Sequence, residues 1–479
     1  MFKRLLQDTS WSIAAGLVAR SSNVLLFVLI SRFLGSHAAG AYTLAFSYSL
    51  ITTHLTFWGL DQLLIRETAK DPASQNKFFT NFLFLRIVLA GLAWSILYGV
   101  THFSLLHAAP ETRQIILWVG LTVFPDNIIN LCEAVFITNQ RMALLPWTRA
   151  LVTLIRLAGA LWLLLGGYGL MSLAHIILAG SVIGMGVNVV LVLLQHVRLE
   201  WRLDWSFCVT QLRIAWPLIL SGVFYILDNR LEILVLSLIM SESNIAIYNS
   251  AATIVSTFLI LPQAYQMAVF PAMSRLHATS QTKLHELYTY SLKYMLLLGL
   301  PLAILLTFTA YFVIQLFGRE FGEAAQVLQI VAWVLPLLFI NVPTARLLVA
   351  IDRQSIVART LMIRLLVATI LNLTLARVYG YIGSGVAYLA ATIIMVSLNL
   401  IMVHRTIKQL YIREIFGRQL LAGTGMVLIA LLLHSIRPWS VLLGGAGYLG
   451  ILYLSGGFSS QEKDRIRRMV LWLRKRFPG

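Results

Sequence analysis

Residues 170–195 read LMSLAHIILAGSVIGMGVNVVLVLLQ, a run without a single Lys, Arg, Asp or Glu. An α-helix rises about 1.5 Å per residue, so this run is long enough to cross the roughly 30 Å hydrocarbon core of a bilayer. The stretch therefore predicts a transmembrane helix, and comparable apolar runs on both sides of it decide the fold.

The composition of the whole chain agrees with repeated membrane crossing. Its 479 residues are 59% hydrophobic and only 12% charged, about half the charged fraction of a soluble domain. We predict an all-α integral membrane protein with about 14 transmembrane helices. The spans lie near 12–34, 41–60, 79–101, 115–137, 144–165, 170–195, 213–239, 246–272, 288–316, 324–350, 356–376, 380–403, 415–436 and 439–457. No room remains for a large extramembrane domain, so any functional site lies among the helices.

The distribution of basic residues predicts the orientation. Loops on one side, among them 61–78 and 196–213, carry 23 Lys and Arg, whereas those on the other side carry 5. By the positive-inside rule both termini are cytoplasmic, which requires an even number of spans. The net charge of +18 therefore indicates anionic lipid headgroups as partners, and nucleic acid is not predicted.

A weak internal repeat divides the chain. Residues 30–45 (ISRFLGSHAAGAYTLA) align with residues 236–251 (LSLIMSESNIAIYNSA) at an offset of 206, which matches Tyr42 with Tyr248. Six spans in each half make this a parallel repeat. The predicted domains are a six-helix lobe at 1–200, a second at 201–405, a helix hairpin at 406–457, and a basic amphipathic cytoplasmic tail at 458–479, for which a disordered tail is the alternative.

Charged residues within spans 4 and 5 are spaced for two ion pairs. Asp126 and Glu133 are seven residues apart on span 4, as are Arg149 and Arg156 on span 5, so each set shares one helix face. An antiparallel hairpin brings Asp126 level with Arg156 and Glu133 level with Arg149. These pairs either contribute to the functional site or only stabilise the hairpin.

Span 7 carries a second charged group near its midpoint. Asp228 and Glu232 share one face, and Arg230 points to the other side. We interpret this cluster as the wall of a polar cavity, with a purely structural cluster as the alternative. Asp126, Asp228 and Glu232 are the candidates for proton or Na⁺ coupling.

Three further polar residues lie on spans 1 and 3. Arg20 and Asn23 share a face of span 1, and Arg86 lies one to two turns inside span 3. These arginines either find partners on other helices, reach the membrane interface, or meet an anionic ligand. An excess of arginine over carboxylate suits a cavity for a phosphate-bearing substrate, because guanidinium binds phosphate through two parallel hydrogen bonds.

Enzyme chemistry is not indicated by the sequence. The chain contains no Gly-Lys dipeptide and hence no nucleotide-binding Walker loop, and its ten histidines show no metal-ligand spacing. Its two cysteines, Cys132 and Cys208, form no disulfide framework. We predict neither a cofactor nor a catalytic residue.

Short motifs recur along most of the chain: Arg32-Phe33-Leu34-Gly35 with Gly40 and Tyr42, Gly59-Leu60-Asp61, Arg66-Glu67, Trp216-Pro217, Tyr248, Phe270-Pro271, and Gly380 with Gly383 and Ala387. Together they resemble the bacterial polysaccharide and oligosaccharide-lipid flippases of the multidrug/oligosaccharidyl-lipid/polysaccharide exporter superfamily. The resemblance implies two six-helix lobes around a central cationic cavity that opens alternately to either side. It also implies a polyprenyl diphosphate-linked oligosaccharide as cargo, of the exopolysaccharide or O-antigen repeat-unit type, and a bacterial inner-membrane location with glycan polymerase and export proteins as partners.

The resemblance also assigns roles to individual residues. It implies cargo or gating roles for Arg20, Asn23, Arg32 and Arg66, the last two as gates, and a lipid-tail groove formed with the final hairpin. We place Arg86, Arg149, Arg156 and Arg230 in the same cargo cavity. Two other functions stay open: a cation-coupled multidrug antiporter, which should carry unpaired carboxylates instead, and a non-transporting scaffold of a glycan-assembly complex.

Overall fold

The structure is a computed structural model of the chain. It describes residues 2–57, 59–103, 108–195, 197, 200, 203–406, 412–432 and 439–457, without the side chains of residues 2–21, 57, 217–221, 412–415 and 439–442. The predicted amphipathic tail at 458–479 lies outside the described residues, as does the side chain of Arg20.

The described residues fold into α-helices joined by short turns. The helices are α1 (Phe2–Phe57), α2 (Leu60–Lys70), α3 (Gln75–His102), α4 (Pro110–Gly120), α5 (Val123–Thr138), α6 (Leu144–Leu165), α7 (Leu170–Leu193), α8 (Trp205–Ser237), α9 (Glu242–Phe258), α10 (Ile260–Thr279), α11 (Gln281–Ile314), α12 (Ala324–Val331), α13 (Val334–Ala350), α14 (Gln354–Thr406), α15 (Ile412–Leu432) and α16 (Trp439–Leu454). Short 3₁₀ turns at Pro72–Ser74 and Arg319–Phe321 complete the described part.

Two of these helices contain a sharp break at a glycine. Gly35 interrupts α1 with a φ of 79°, and Gly380 interrupts α14 with a φ of 62°. A side chain is strained at such positive φ values, so glycine is required at both points. Each break separates two of the predicted spans, the first from the second and the eleventh from the twelfth.

Four of the predicted spans are each built from two helices and not from one continuous helix. Span 2 continues from α1 into α2, span 4 is α4 with α5, span 8 is α9 with α10, and span 10 is α12 with α13. The interrupted spans are therefore the second and fourth of each predicted half. Asn249 Nδ2 donates a hydrogen bond of 3.1 Å to Thr43 Oγ1, two positions related by the 206-residue offset.

Nine helical segments of the described part have the length and hydropathy to cross a membrane, some of them long enough to contain a break. The chain is thus an all-α, multi-pass membrane protein, and the number fourteen stays a prediction. The predicted loop 61–78 is wrong in its first half, because α2 runs through Lys70 and buries Leu60, Leu63 and Leu64 completely.

The helices group into two compact units. Unit 1 comprises residues 1–257, 315–324 and 365–387, and unit 2 comprises residues 258–314, 325–364 and 388–479. The boundaries of these units differ from those of the two predicted six-helix lobes, and the lobes stay a prediction.

Close helix packing in unit 1 depends on Gly40. A Cβ atom there would lie 1.8 Å from the backbone oxygen of Glu242, so α1 and α9 approach each other at a point where only glycine fits. The segment before α8 also docks within unit 1: the backbone N–H groups of Glu200 and Asp204 donate to Thr80 and Asn81 of α3. Asp204 in turn accepts the Phe207 N–H and lies 3.2 Å from Lys77, which lowers the pKa of its carboxyl.

In unit 2, α15 and α16 form a hairpin that packs on α11. Gln419 of α15 donates to the backbone oxygen of Lys293 and accepts the hydroxyl of Tyr448. A Cβ at Gly423 would lie 2.9 Å from Leu300, so the small residue lets α15 approach α11 closely.

Candidate functional site

The two ion pairs expected from the α5–α6 hairpin are present in the structure. Arg149 Nε and Nη2 donate to the two carboxylate oxygens of Glu133 at 2.7 and 2.6 Å, a bidentate arrangement. Arg156 Nη2 lies 3.2 Å from Asp126 Oδ1 and also donates to the Ser181 hydroxyl of α7. The pairs join α5 to α6 and α7; a role in transport stays a prediction.

Arg86 is enclosed among the helices of unit 1. Its side chain is 0% exposed, and it pairs with Asp61 in the first turn of α2 and donates a 2.8 Å hydrogen bond to the carbonyl of Asn127. The pairing escaped the sequence analysis because residues 61–78 were assigned to a loop. Asn127 extends the contact by donating to Thr56 at 2.6 Å. Arg86 is thus enclosed and paired in this structure, and a role in cargo binding stays a prediction.

Arg230 is held differently from these paired arginines. Its guanidinium carbon lies 5.5 Å from the centroid of the Phe46 ring of α1, a cation–π contact. In the part of the chain that the structure describes, no ion pair involves Arg230. On the same helix, Glu232 is buried and Asp228 is half-buried.

A small cavity in unit 1 brings two of the candidates, Asn23 and Arg156, together. It has a volume of about 40 Å³ and is lined by Asn23, Tyr42, Phe46 and Arg156, among others. Phe46 therefore contributes both to the cavity wall and to the support of Arg230. Arg20 lies in α1 one turn before Asn23, with its side chain outside the described residues.

The two predicted gating arginines occupy exposed positions. Arg32 donates to the carbonyl oxygens of Leu316 and Gln315 at 2.7 and 3.3 Å, three residues before the break at Gly35. Arg66 forms a 2.7 Å hydrogen bond with its neighbour Glu67. A gating role stays a prediction for both.

Further contacts surround the break at Gly35. The Ser36 N–H donates a 2.9 Å hydrogen bond to Glu320 Oε2, which holds the pKa of that carboxyl below its usual range. Ser36 Oγ also lies 3.4 Å from Ser243 Oγ. Nearby in the chain, the Ala109 N–H donates to Glu242 at 2.7 Å.

Sequence reasoning missed three cationic side chains that rest on aromatic rings in unit 2. Arg346 lies over Phe270, Arg364 over Tyr388, and Lys293 over Tyr290 and Tyr294. The signal available in the sequence was their position inside apolar spans. Among the described residues, no group of three His, Cys, Asp or Glu side chains could hold a metal ion.

Comparisons with known proteins identify the fold and the family. The sequence profile of the family described as "Polysaccharide biosynthesis protein" matches residues 28–326. A solved structure of the lipid II flippase MurJ in an inward closed conformation superposes with a TM-score of 0.78 at 18% identity, covering 93% of this chain and 98% of MurJ.

Two curated relatives come from Haloferax volcanii. The probable low-salt glycan biosynthesis flippase Agl15 is 25% identical over 35% of each chain. The probable flippase AglR is 22% identical over 50% of this chain and 52% of its own. The chain thus spans about half, or less, of the length of the curated relatives that it matches.

These relatives are flippases, which agrees with the prediction that the chain is not an enzyme. The profile match extends over well more than half of the sequence, and the fold comparison covers nearly all of it. The chain therefore belongs to the polysaccharide biosynthesis protein family.

Proposed function

We propose that the protein is a flippase that moves a polyprenyl diphosphate-linked oligosaccharide from the cytoplasmic to the outer leaflet by alternating access. A diphosphate and several sugars cannot cross hydrocarbon without a polar path, whereas the polyprenyl chain can remain in lipid. The protein's task is then to supply cationic and hydrogen-bonding groups within the membrane, and to expose them to one side at a time.

The observation that supports this proposal is that Arg230 contacts an aromatic ring and forms no ion pair among the described residues. The guanidinium groups of Arg86, Arg149 and Arg156 are neutralised by carboxylates, whereas Arg230 rests on Phe46 and keeps its charge for a ligand. A guanidinium matches the geometry of a phosphate through two parallel hydrogen bonds. Asn23 in the adjoining cavity adds a side-chain amide suited to sugar hydroxyls.

An organic-cation antiporter is supported less well. Such a cargo requires a carboxylate that is free to accept the positive charge, and Asp61, Asp126 and Glu133 are each occupied by an arginine. For the flippase, an ion gradient or the membrane potential supplies the energy, with Asp228 and Glu232 of α8 as candidate coupling groups.

The test is to deplete the protein in its host and extract polyprenyl diphosphate-linked sugars. We expect one lipid-linked oligosaccharide to accumulate on the cytoplasmic face. Wild type should clear it, Arg230→Gln should not, and Arg230→Lys should restore partial clearance because it keeps the charge but loses the planar donor pair. Arg359→Gln, at an exposed arginine of α14, is the matched control and should clear the lipid fully.

Two outcomes would contradict the proposal. Full clearance by Arg230→Gln at normal protein levels would remove Arg230 from the cargo path. Absence of any accumulated lipid, together with increased sensitivity to cationic drugs, would favour the antiporter.

A further inference from the structure

Unit 2 contains an arginine that, like Arg230, contacts the face of an aromatic ring. Arg346 lies on α13, and its guanidinium carbon is 5.6 Å from the centroid of the Phe270 ring of α10. The side chain is half-buried, and within the described residues no ion pair involves it. Arg364 of the same unit also rests on an aromatic ring, but it is only 2% exposed and so is out of reach of a ligand.

The aromatic support leaves Arg346 able to bind an anion. A cation–π contact uses the face of the guanidinium, whereas its five N–H donors point outward in the plane of the group. Transfer of an unpaired cation into a membrane span is costly, and a ring face compensates only part of that cost. An arginine kept in this state gains most from a ligand that brings a negative charge and accepts several hydrogen bonds.

Each of the two helices carries a proline close to this contact. Pro271 follows Phe270 inside α10, and Pro343 precedes Arg346 by one helical turn inside α13. Each proline lacks the N–H that would bond to the carbonyl four residues earlier, at Met267 and Phe339. Within a membrane, such interruptions are tolerated where protein or water reaches the backbone, and in transporters they accompany binding sites.

We propose that Arg346, supported by Phe270, binds a phosphate group of the cargo's diphosphate within unit 2. The inference rests on the proposed flippase function and adds a cargo ligand outside unit 1. Phe270 acts as a positioning residue, since it holds the guanidinium and does not itself contact the anion. A phospholipid headgroup offers the same phosphate chemistry, so the experiment must separate the two sources.

The experiment measures ligand binding to the full chain in nanodiscs of neutral phosphatidylcholine. The probes are undecaprenyl diphosphate, uncharged undecaprenol and phosphatidylglycerol. Arg346→Gln should weaken binding of undecaprenyl diphosphate about tenfold, and Arg346→Lys about threefold because it keeps the charge. Phe270→Leu should fall between wild type and Arg346→Gln. Binding of undecaprenol should stay unchanged throughout, and Arg359→Gln should behave as wild type.

Each outcome has a distinct meaning. Wild-type affinity for undecaprenyl diphosphate in Arg346→Gln overturns the inference and leaves the flippase function intact. Equal weakening for phosphatidylglycerol shows a headgroup site and overturns the cargo assignment. Failure of the wild type to bind undecaprenyl diphosphate contradicts the proposed function itself. If Arg346→Gln does not fold, as judged by its melting temperature, Arg346→Lys and Phe270→Leu decide the question.

Discussion

The intramembrane arginines divide into two groups according to what neutralises them. Arg86, Arg149 and Arg156 face carboxylates and join neighbouring helices, whereas Arg230 and Arg346 rest on phenylalanine rings. A paired arginine has its charge balanced by a carboxylate and joins two helices. An arginine on a ring face has no such carboxylate, and we propose the ligand-binding role for this second group.

We expect Arg86→Gln to destabilise the protein severely. The substitution leaves the Asp61 carboxylate buried without its cation, which typically costs about 3–5 kcal/mol. Thermal unfolding in detergent would show this as a large fall in melting temperature. The double variant Asp61→Asn/Arg86→Gln should recover most of the loss, because it removes both charges.

The exposed pair of Arg66 with Glu67 supplies the control for that measurement. Arg66→Gln should cost less than about 1 kcal/mol, since water solvates both charges. If Asp61→Asn/Arg86→Gln is no more stable than Arg86→Gln alone, the contribution of Arg86 to stability does not come from its ion pair with Asp61.

Titration of Glu320 should affect the contact at Gly35. Hydrogen bonding to the Ser36 N–H lowers the pKa of Glu320, so the contact favours the deprotonated carboxylate. Its contribution is therefore complete above the ordinary glutamate pKa of about 4.3, and is lost as the pH falls through the lowered value. We expect the protection of the Ser36 amide against hydrogen exchange, corrected for intrinsic rate, to be constant near neutral pH and to fall in acid. Glu320→Gln should give weaker protection without this acid transition; unchanged protection would contradict the assignment.

Residue pairs were predictable from the sequence only where both partners lay on recognised spans. Glu133 with Arg149 and Asp126 with Arg156 follow from helical spacing on one hairpin. The pair of Asp61 with Arg86 could not be predicted in this way. Asp61 lies in α2, a helix whose polar composition is that of a loop. The cation–π contacts of Phe46 and Phe270 could not be predicted. The apolar spans contain many aromatic rings, and the sequence does not show which of them an arginine contacts.

At the scale of elements, the interruptions of helices recur in the second and fourth predicted spans of each half. Hydropathy averaged along a span measures how apolar the side chains are and carries no information on backbone hydrogen bonds. The sequence therefore predicts one continuous helix where the structure has two. The turn at Gly380 was recognisable only as a break between spans. Its backbone geometry, like that at Gly35, depends on the neighbouring helices.

We expect Gly40→Ala to disrupt the packing of α1 on α9. The added Cβ overlaps the backbone oxygen of Glu242, and a backbone atom cannot move aside as a flexible side chain could. Protein yield and melting temperature should both fall. Gly91→Ala is the control, because nothing lies within 4 Å of its Cβ and alanine favours a helix by about 1 kcal/mol. Equal stability of the two variants would argue against a tight crossing.

At the scale of the whole molecule, unit 1 combines segments from both predicted six-helix lobes. Residues 315–324 and 365–387 belong to it together with residues 1–257. The loop-charge count predicts that the break in α1 at Gly35 faces the outer side of the membrane. If the protein moves cargo by the proposed alternating access, we expect the contacts of Arg32 and Ser36 with their partners to break when the outer side opens.

A disulfide across this region should stop transport reversibly. The hydroxyl oxygens of Ser36 and Ser243 are 3.4 Å apart, so Ser36→Cys/Ser243→Cys places two thiols within bonding reach. We expect oxidation to block clearance of the lipid-linked oligosaccharide and a reductant to restore it. The single variants should be insensitive, because the native Cys132 and Cys208 are buried. Full transport by the oxidised double variant would show that this contact need not open.

The ion pairs of Arg86, Arg149 and Arg156 also bear on the order of events during biosynthesis. In each of them the acid precedes the base along the chain: Asp61 comes before Arg86, Asp126 before Arg156, and Glu133 before Arg149. The ribosome therefore delivers every one of these arginines to the membrane insertion machinery after its counter-charge has been made. The nascent chain can neutralise each cation as it enters the bilayer, without waiting for the second half of the protein.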